Sequence, residues 1–196
     1  MARKRTEIRQ EEIKQAVLDI VYNEGLKSLS TKNLAAHIGL SEGAIFRHFA
    51  SKQDILLSIL QDIQNELITQ LREISLSAHS PEVKLEKFFC TTVHYLIEKK
   101  GVTMLMFSEA SHSNDMVLKN SLQQIFNAQR NMVSKIMLDG IATGIWDDQV
   151  SVERISMIYL GIPVTLNIEL VLNGGLFFQN DFCRQMLELI FKMLKK

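Results

Sequence analysis

The chain has 196 residues, with 22 Lys and Arg against 22 Asp and Glu and no formal net charge. That balance argues against a dedicated polyanion binder, and the length suffices to bury a core without disulfide or metal staples. Cys90 and Cys183 are the only cysteines and have no short spacing, which argues against a disulfide framework. The opening residues are polar and carry no apolar signal-peptide core. No stretch approaches about 18 uncharged apolar residues, so no membrane span is expected and a reducing cytoplasm fits best.

Charge is not spread evenly. Residues 1–54 carry +2 and the remainder −2, and the excess sits in Arg3, Lys4, Arg5 and Arg9. Such a basic arm is either a solvated tail or a set of phosphate contacts.

Apolar residues recur every three or four positions nearly throughout, and only Pro81 and Pro163 interrupt them, which predicts an all-α protein of about nine helices. Ile13, Val17, Ile20 and Val21 form the stripe of a first helix that stops at Gly25. A short helix starts after Ser30 and stops at Gly39, and another starts after Ser41 and ends near Phe49. Ser51-Lys52-Gln53-Asp54 is a capping arrangement that opens a long helix through Ile55, Ile59, Ile63, Leu67 and Leu71. Ser80-Pro81-Glu82 opens the next, with proline where its missing N–H is harmless and an acid at the positive end of the dipole. That helix runs to Lys99-Lys100 and Gly101. Further helices cover roughly residues 102–110, 115–143, 151–172 and 180–194, the last pair separated by Asn173-Gly174-Gly175.

Residues 30–52 carry the functional signal. Two short helices joined by Gly39-Leu40-Ser41 have helix-turn-helix geometry, with Leu34, Ile38, Leu40, Ile45 and Phe49 as a small apolar interior. The second helix presents Gly43, Ala44 and Arg47 outward, small enough at its start for the backbone to enter a major groove. A tight helical corner in a bundle would read the same way from geometry alone.

The segment resembles the DNA-binding domain of the TetR/AcrR family of bacterial repressors. The matching residues are Glu24-Gly25, Ser30, Leu34-Ala35, Gly39-Leu40-Ser41, the run Gly43-Ala44-Ile45-Phe46-Arg47-His48-Phe49, and Ser51-Lys52. The resemblance implies residues 1–52 as the DNA-binding domain and 53–196 as an effector-binding and dimerisation domain. It implies base-edge contacts near Gly43 and Ala44, phosphate contacts from Ser30, Thr31, His48 and Lys52, and either kind from Arg47. Lys52 lies at a helix N-terminus, which by itself favours a phosphate. Phe46 stands where the family usually has Tyr, so the phosphate contact of that hydroxyl should be missing.

The resemblance further implies a homodimer on palindromic operator DNA, held by the last two helices, and a small-molecule effector inside the larger domain. Ile158, Gly161, Ile162, Thr165, Phe182, Met186, Leu189 and Met193 are the candidates for the dimer face, with an ordinary intrachain core as the competing use. Phe88, Thr92, Met104, Phe107, Trp146 and Asn167 are the candidates for effector contact, with plain core as the competing use and a mainly apolar ligand as the expectation. Thr92 can also bond its own helix, and Asn167 sits near the carbonyl that Pro163 frees. No cofactor or metal is expected: Cys90 and His94 share a helix face but need His79 or His112 to complete a site. No glycine-rich phosphate loop, Gly-x-Ser-x-Gly or His-Glu-x-x-His is present, so a regulator is expected rather than an enzyme. A constitutive DNA-binding regulator without an effector is the alternative.

Overall fold

The computed structural model describes residues 2–112, 115–173 and 181–195, without the side chains of residues 2–5 and 109–112. The side chains of Arg3, Lys4 and Arg5 in the basic arm and of His112, together with Gly174-Gly175 and Asn180, therefore lie outside what is described. Helices are α1 (Ala2–Asn23), α2 (Thr31–His37), α3 (Glu42–Ile45), α4 (Lys52–Ile63), α5 (Thr69–Leu76), α6 (Pro81–Glu98), α7 (Val102–His112), α8 (Met116–Ala142), α9 (Val152–Asn173) and α10 (Phe182–Leu194). No strand occurs among the described residues.

The chain packs as two compact units, one of Met1–Ile63 with Lys99–Leu122, the other of Gln64–Glu98 with Gln123–Lys196. In the first unit, Ile13, Val17 and Ile20 of α1 are buried with Leu34 of α2, Ile45 of α3 and Ile55 and Ile59 of α4. Fully burying each such side chain contributes about 1.5–3 kcal/mol, which holds α2 and α3 on a fixed platform. Gly101, at φ +83°, brings the start of α7 against α1 so closely that a Cβ there would lie 2.5 Å from the Leu18 carbonyl oxygen. Lys14 is buried on α1 and its ammonium pairs with Asp62 of α4 and, at 2.7 Å, with Glu11. Burial alone would pull this ammonium down; the two carboxylates outweigh it and hold the group above its ordinary value of 10.5.

In the second unit, Phe88 and Phe89 of α6 pack edge-on or tilted against Tyr159 of α9, with ring centroids at 6.2 and 5.3 Å. The Tyr159 hydroxyl donates to the Leu85 carbonyl. Trp146 closes the end of α8, with its indole over Gly140; a Cβ at Gly140 would fall 2.1 Å from the ring.

Two departures from the expected elements have local causes. The long helix predicted from Ser51 is broken by a π-helical stretch at Gln64–Ile68, where the Thr69 hydroxyl donates to the Gln64 carbonyl at 3.2 Å. α3 ends at Ile45, and the path to Phe49 continues as tight turns, with the His48 amide on the Ile45 carbonyl at 2.9 Å. No membrane span is expected from the sequence; α9 is the one helix among the described residues that is long and apolar enough for one, by length and composition only, with 33% of its most apolar window buried. Its charges, Glu153, Arg154 and Glu169, stand towards its ends, and the middle exposes Met157 and Ile158.

Candidate nucleic-acid interface

The helix-turn-helix is built by three serine caps and one glycine. Ser30 accepts from the Asn33 amide at 3.1 Å to start α2, Ser41 from the Ala44 amide at 3.2 Å to start α3, and Ser51 from the Asp54 amide at 3.1 Å to start α4. α2 ends in a Schellman arrangement: Gly39 takes φ +68°, its amide donates to the Ala36 carbonyl, and the Leu40 amide reaches the Ala35 carbonyl at 2.9 Å. A Cβ-bearing residue would be strained at that position, so Gly39 fixes the angle between α2 and α3.

All eight residues expected to meet DNA lie in the first unit, on α2, α3, the turn after α3 and the start of α4. Ser30, Gly43, Phe46, Arg47 and Lys52 are exposed, and Thr31, Ala44 and His48 are half-buried. A Cβ added at Gly43 would meet nothing within 4 Å, so the start of α3 is an open backbone surface. Phe46 leaves 46% of its surface exposed, a large apolar ring at a place where water or another molecule must cover it. Lys52 donates to the Leu29 carbonyl at 3.3 Å, which holds its ammonium beside the start of α2.

Two further residues join the site. Glu42 accepts from the Thr31 hydroxyl at 2.7 Å and ties α2 to α3 across the turn. Gln10 donates to the His48 carbonyl at 3.0 Å and holds the turn after α3 against α1. Glu42 has a sequence signal, as the acid in the first turn behind the Ser41 cap; Gln10 has none. The Nδ1 of His48 is buried without a partner.

In the second unit, Ile158, Gly161, Ile162, Thr165, Phe182 and Met186 line one open groove of about 520 Å³ between α9 and α10, together with Leu166 and Glu169. A Cβ at Gly161 would meet nothing within 4 Å. Leu189 and Met193 are also exposed on α10. The groove thus gathers six of the eight residues expected on the dimer face, and none of the eight is in the buried core.

The residues expected to touch an effector are divided. Met104 and Phe107 lie on α7 of the first unit, Phe107 being 45% exposed. Phe88, Thr92, Trp146 and Asn167 are buried in the second. Thr92 donates to the Phe88 carbonyl of its own helix at 2.9 Å. The Asn167 amide donates to the Leu96 carbonyl at 2.8 Å, but its Oδ1 is buried without a partner. Trp146 packs on Gly140. His79 pairs with Lys87 at 2.8 Å, and among the described residues no three His, Cys, Asp or Glu side chains gather.

A capped helix-turn-helix with an exposed second helix is the arrangement that one class of DNA-binding regulators uses to enter a major groove. Residues 18–59 match the family model for bacterial regulatory proteins of the tetR family. The HTH-type transcriptional repressor KstR2 of Mycolicibacterium smegmatis is 23% identical over 147 residues, 75% of this chain and 72% of that protein. The nucleoid occlusion factor SlmA of Serratia proteamaculans is 29% identical, over 60% of each chain. Among solved structures, the ketosteroid transcriptional regulator KstR2 of Mycobacterium tuberculosis superposes with a TM-score of 0.83 at 17% identity, covering 96% of this chain and 95% of that one. FadR from Bacillus subtilis, solved in complex with stearoyl-CoA, gives 0.75 at 18%, covering 94% and 98%. Residues 18–59 thus resemble the DNA-binding segment of the tetR family in sequence, and the whole chain shares the fold of these solved regulators.

Proposed function

We propose that the protein is a cytoplasmic homodimeric repressor that binds a palindromic operator and is released from it by a mainly apolar small molecule. The observation that carries the DNA reading is the exposed surface of α3 and the turn after it, where Gly43 offers bare backbone and Arg47 an exposed side chain, on a platform fixed by three serine caps. Residues 1–52 are the reading head and residues 53–196 the regulatory part. Gly43 and Ala44 approach base edges, Ser30, Thr31, His48 and Lys52 approach phosphates, and Arg47 serves either.

Dimerisation follows from need and from surface. One short helix reads only a few base pairs, so two heads about one DNA turn apart are required for a specific site. The groove between α9 and α10 is apolar, open and about 520 Å³ in volume, and a second copy of the same face is the occupant that supplies the second head. The exposed middle of α9 then serves association between copies rather than a membrane.

The effector reading rests on Asn167. A buried amide oxygen without a donor is destabilising by roughly 1–3 kcal/mol, and a ligand hydroxyl or amine would satisfy it. Phe88 and Thr92 supply the apolar and neutral polar surroundings, while stearoyl-CoA bound to the structural neighbour FadR is a precedent for a ligand with a long apolar chain on this fold. Selection from a random duplex pool tests the whole reading. The full chain should enrich an inverted repeat with half-sites one turn apart. Enrichment of a single unrepeated half-site, or of nothing, would contradict it.

A further inference from the structure

Cys90 and Cys183 are distant in sequence but meet in the second unit. Cys90 lies in the body of α6 and Cys183 is the second residue of α10, and these two helices pack together. Their neighbours Phe89 and Phe182 stack at 6.5 Å with rings 19° from parallel, which sets the two helices in register at this level. Cys90 and Cys183 are the next residues after the two stacked rings, so the same register brings both thiols to one level of the α6–α10 seam, and both are half-buried rather than sealed in the core. We propose that Cys90 and Cys183 form a redox-responsive pair that a hydroperoxide converts to an intramolecular disulfide and a thiol reductant restores.

The two cysteines are not equivalent. Contact with Cys90 pulls the Cys183 thiol down, and a backbone hydrogen bond at the start of α10 acts in the same direction. The same contact, with burial, pushes Cys90 up. Cys183 is therefore the attacking thiolate and Cys90 the resolving thiol. The Cys183 sulfur attacks one peroxide oxygen, the O–O bond breaks, and a sulfenic acid forms as the other oxygen leaves with a proton as water or alcohol. The Cys90 sulfur then attacks the Cys183 sulfur, the S–O bond breaks, and the hydroxyl takes the Cys90 proton and leaves as water. The two thiols are oxidised and the peroxide is reduced. Two thiols without a third donor suit this chemistry better than a tetrahedral zinc site.

The experiment treats the full reduced chain with hydrogen peroxide and follows free thiols, the intact mass and the cross-linked peptides. The expected result is loss of both thiols in step, a mass decrease of one hydrogen pair, a Cys90–Cys183 peptide within one chain, and recovery with dithiothreitol. Cys90→Ser should accumulate a sulfenic acid on Cys183 that dimedone traps. Cys183→Ser should lose its remaining thiol more slowly than Cys90→Ser, because Cys183 keeps the backbone hydrogen bond at the start of α10 that favours its thiolate while burial opposes that of Cys90. Both variants should keep the parent circular dichroism spectrum. Thiols that persist under excess peroxide, linkage only between chains, or equal reactivity of the two single variants would overturn the proposal.

Discussion

Replacing Lys14 by Met tests how the platform beneath the reading head is held. The Lys14 side chain is about one-tenth exposed, and its ammonium lies between Asp62 at 29% exposure and Glu11 at 55%. Removing one partner of a fully buried pair is destabilising by about 3–5 kcal/mol, whereas an exposed pair contributes about 0–1. Asp62 keeps partial access to water once the ammonium is gone, so the loss should fall between, at roughly 1–3 kcal/mol. Met keeps an apolar stem of similar length, which isolates the charge. Urea unfolding followed by circular dichroism reads the effect as a lower midpoint with an unchanged slope. The pH dependence follows from the direction of the shift. A lysine raised in the folded state contributes its full stabilisation below 10.5 and loses it as pH rises through the higher folded value. The gap between parent and variant should therefore be constant from about pH 7 to 9 and narrow above about 10.5. Lys14→Met with Asp62→Leu should recover part of the loss, because neither charge is then left alone. A Lys14→Met chain as stable as the parent, or a gap that widens in alkali, would refute the reasoning.

Gly140→Ala should lower the thermal midpoint and be destabilising by about 1–3 kcal/mol, since the new methyl would fall inside the Trp146 ring and force it off its seat; an unchanged Trp146 emission spectrum and midpoint would contradict that packing. Phe46→Tyr should tighten operator binding by about 0.5–1.5 kcal/mol, because the exposed ring would gain a hydroxyl able to donate to a phosphate; fluorescence anisotropy with equal or weaker affinity would place the ring away from DNA. Met186→Asp, within the groove between α9 and α10, should give a monomer in sedimentation at concentrations where the parent is dimeric, with helix content kept. A dimer that survives both Met186→Asp and Gly161→Leu would put the interface on another face.

Local chemistry is what the sequence makes legible. The caps at Ser30, Ser41 and Ser51 and the turn at Gly39 depend only on residues a few positions away, so the helix-turn-helix can be read from the order of residues alone. Helical periodicity likewise gathers the residues that line the groove between α9 and α10. The remainder depends on which helices meet. Nothing local pairs Lys14 with Asp62, Gln10 with His48, or Cys90 with Cys183, and spacing alone argues against any link between the cysteines. The π-helical stretch at Gln64–Ile68 is hidden because its apolar residues keep a helical spacing through the break. Trp146 reads as a candidate ligand contact because an aromatic after a helix end gives no sign of the glycine on which it rests.

The central claim is that α2, α3 and the start of α4 contact operator DNA. Its most direct measurement is the salt dependence of affinity for a selected operator, for the parent, Lys52→Ala and Arg47→Ala. Lys52→Ala should weaken binding about equally on all DNA sequences and lower the slope of log affinity against log salt by roughly 0.9 for each phosphate no longer neutralised, doubled if both heads of a dimer are affected. Arg47→Ala should lower the same slope, or change base preference, or both. Unchanged affinity, slope and preference in both variants would remove this surface from the interface and contradict the account.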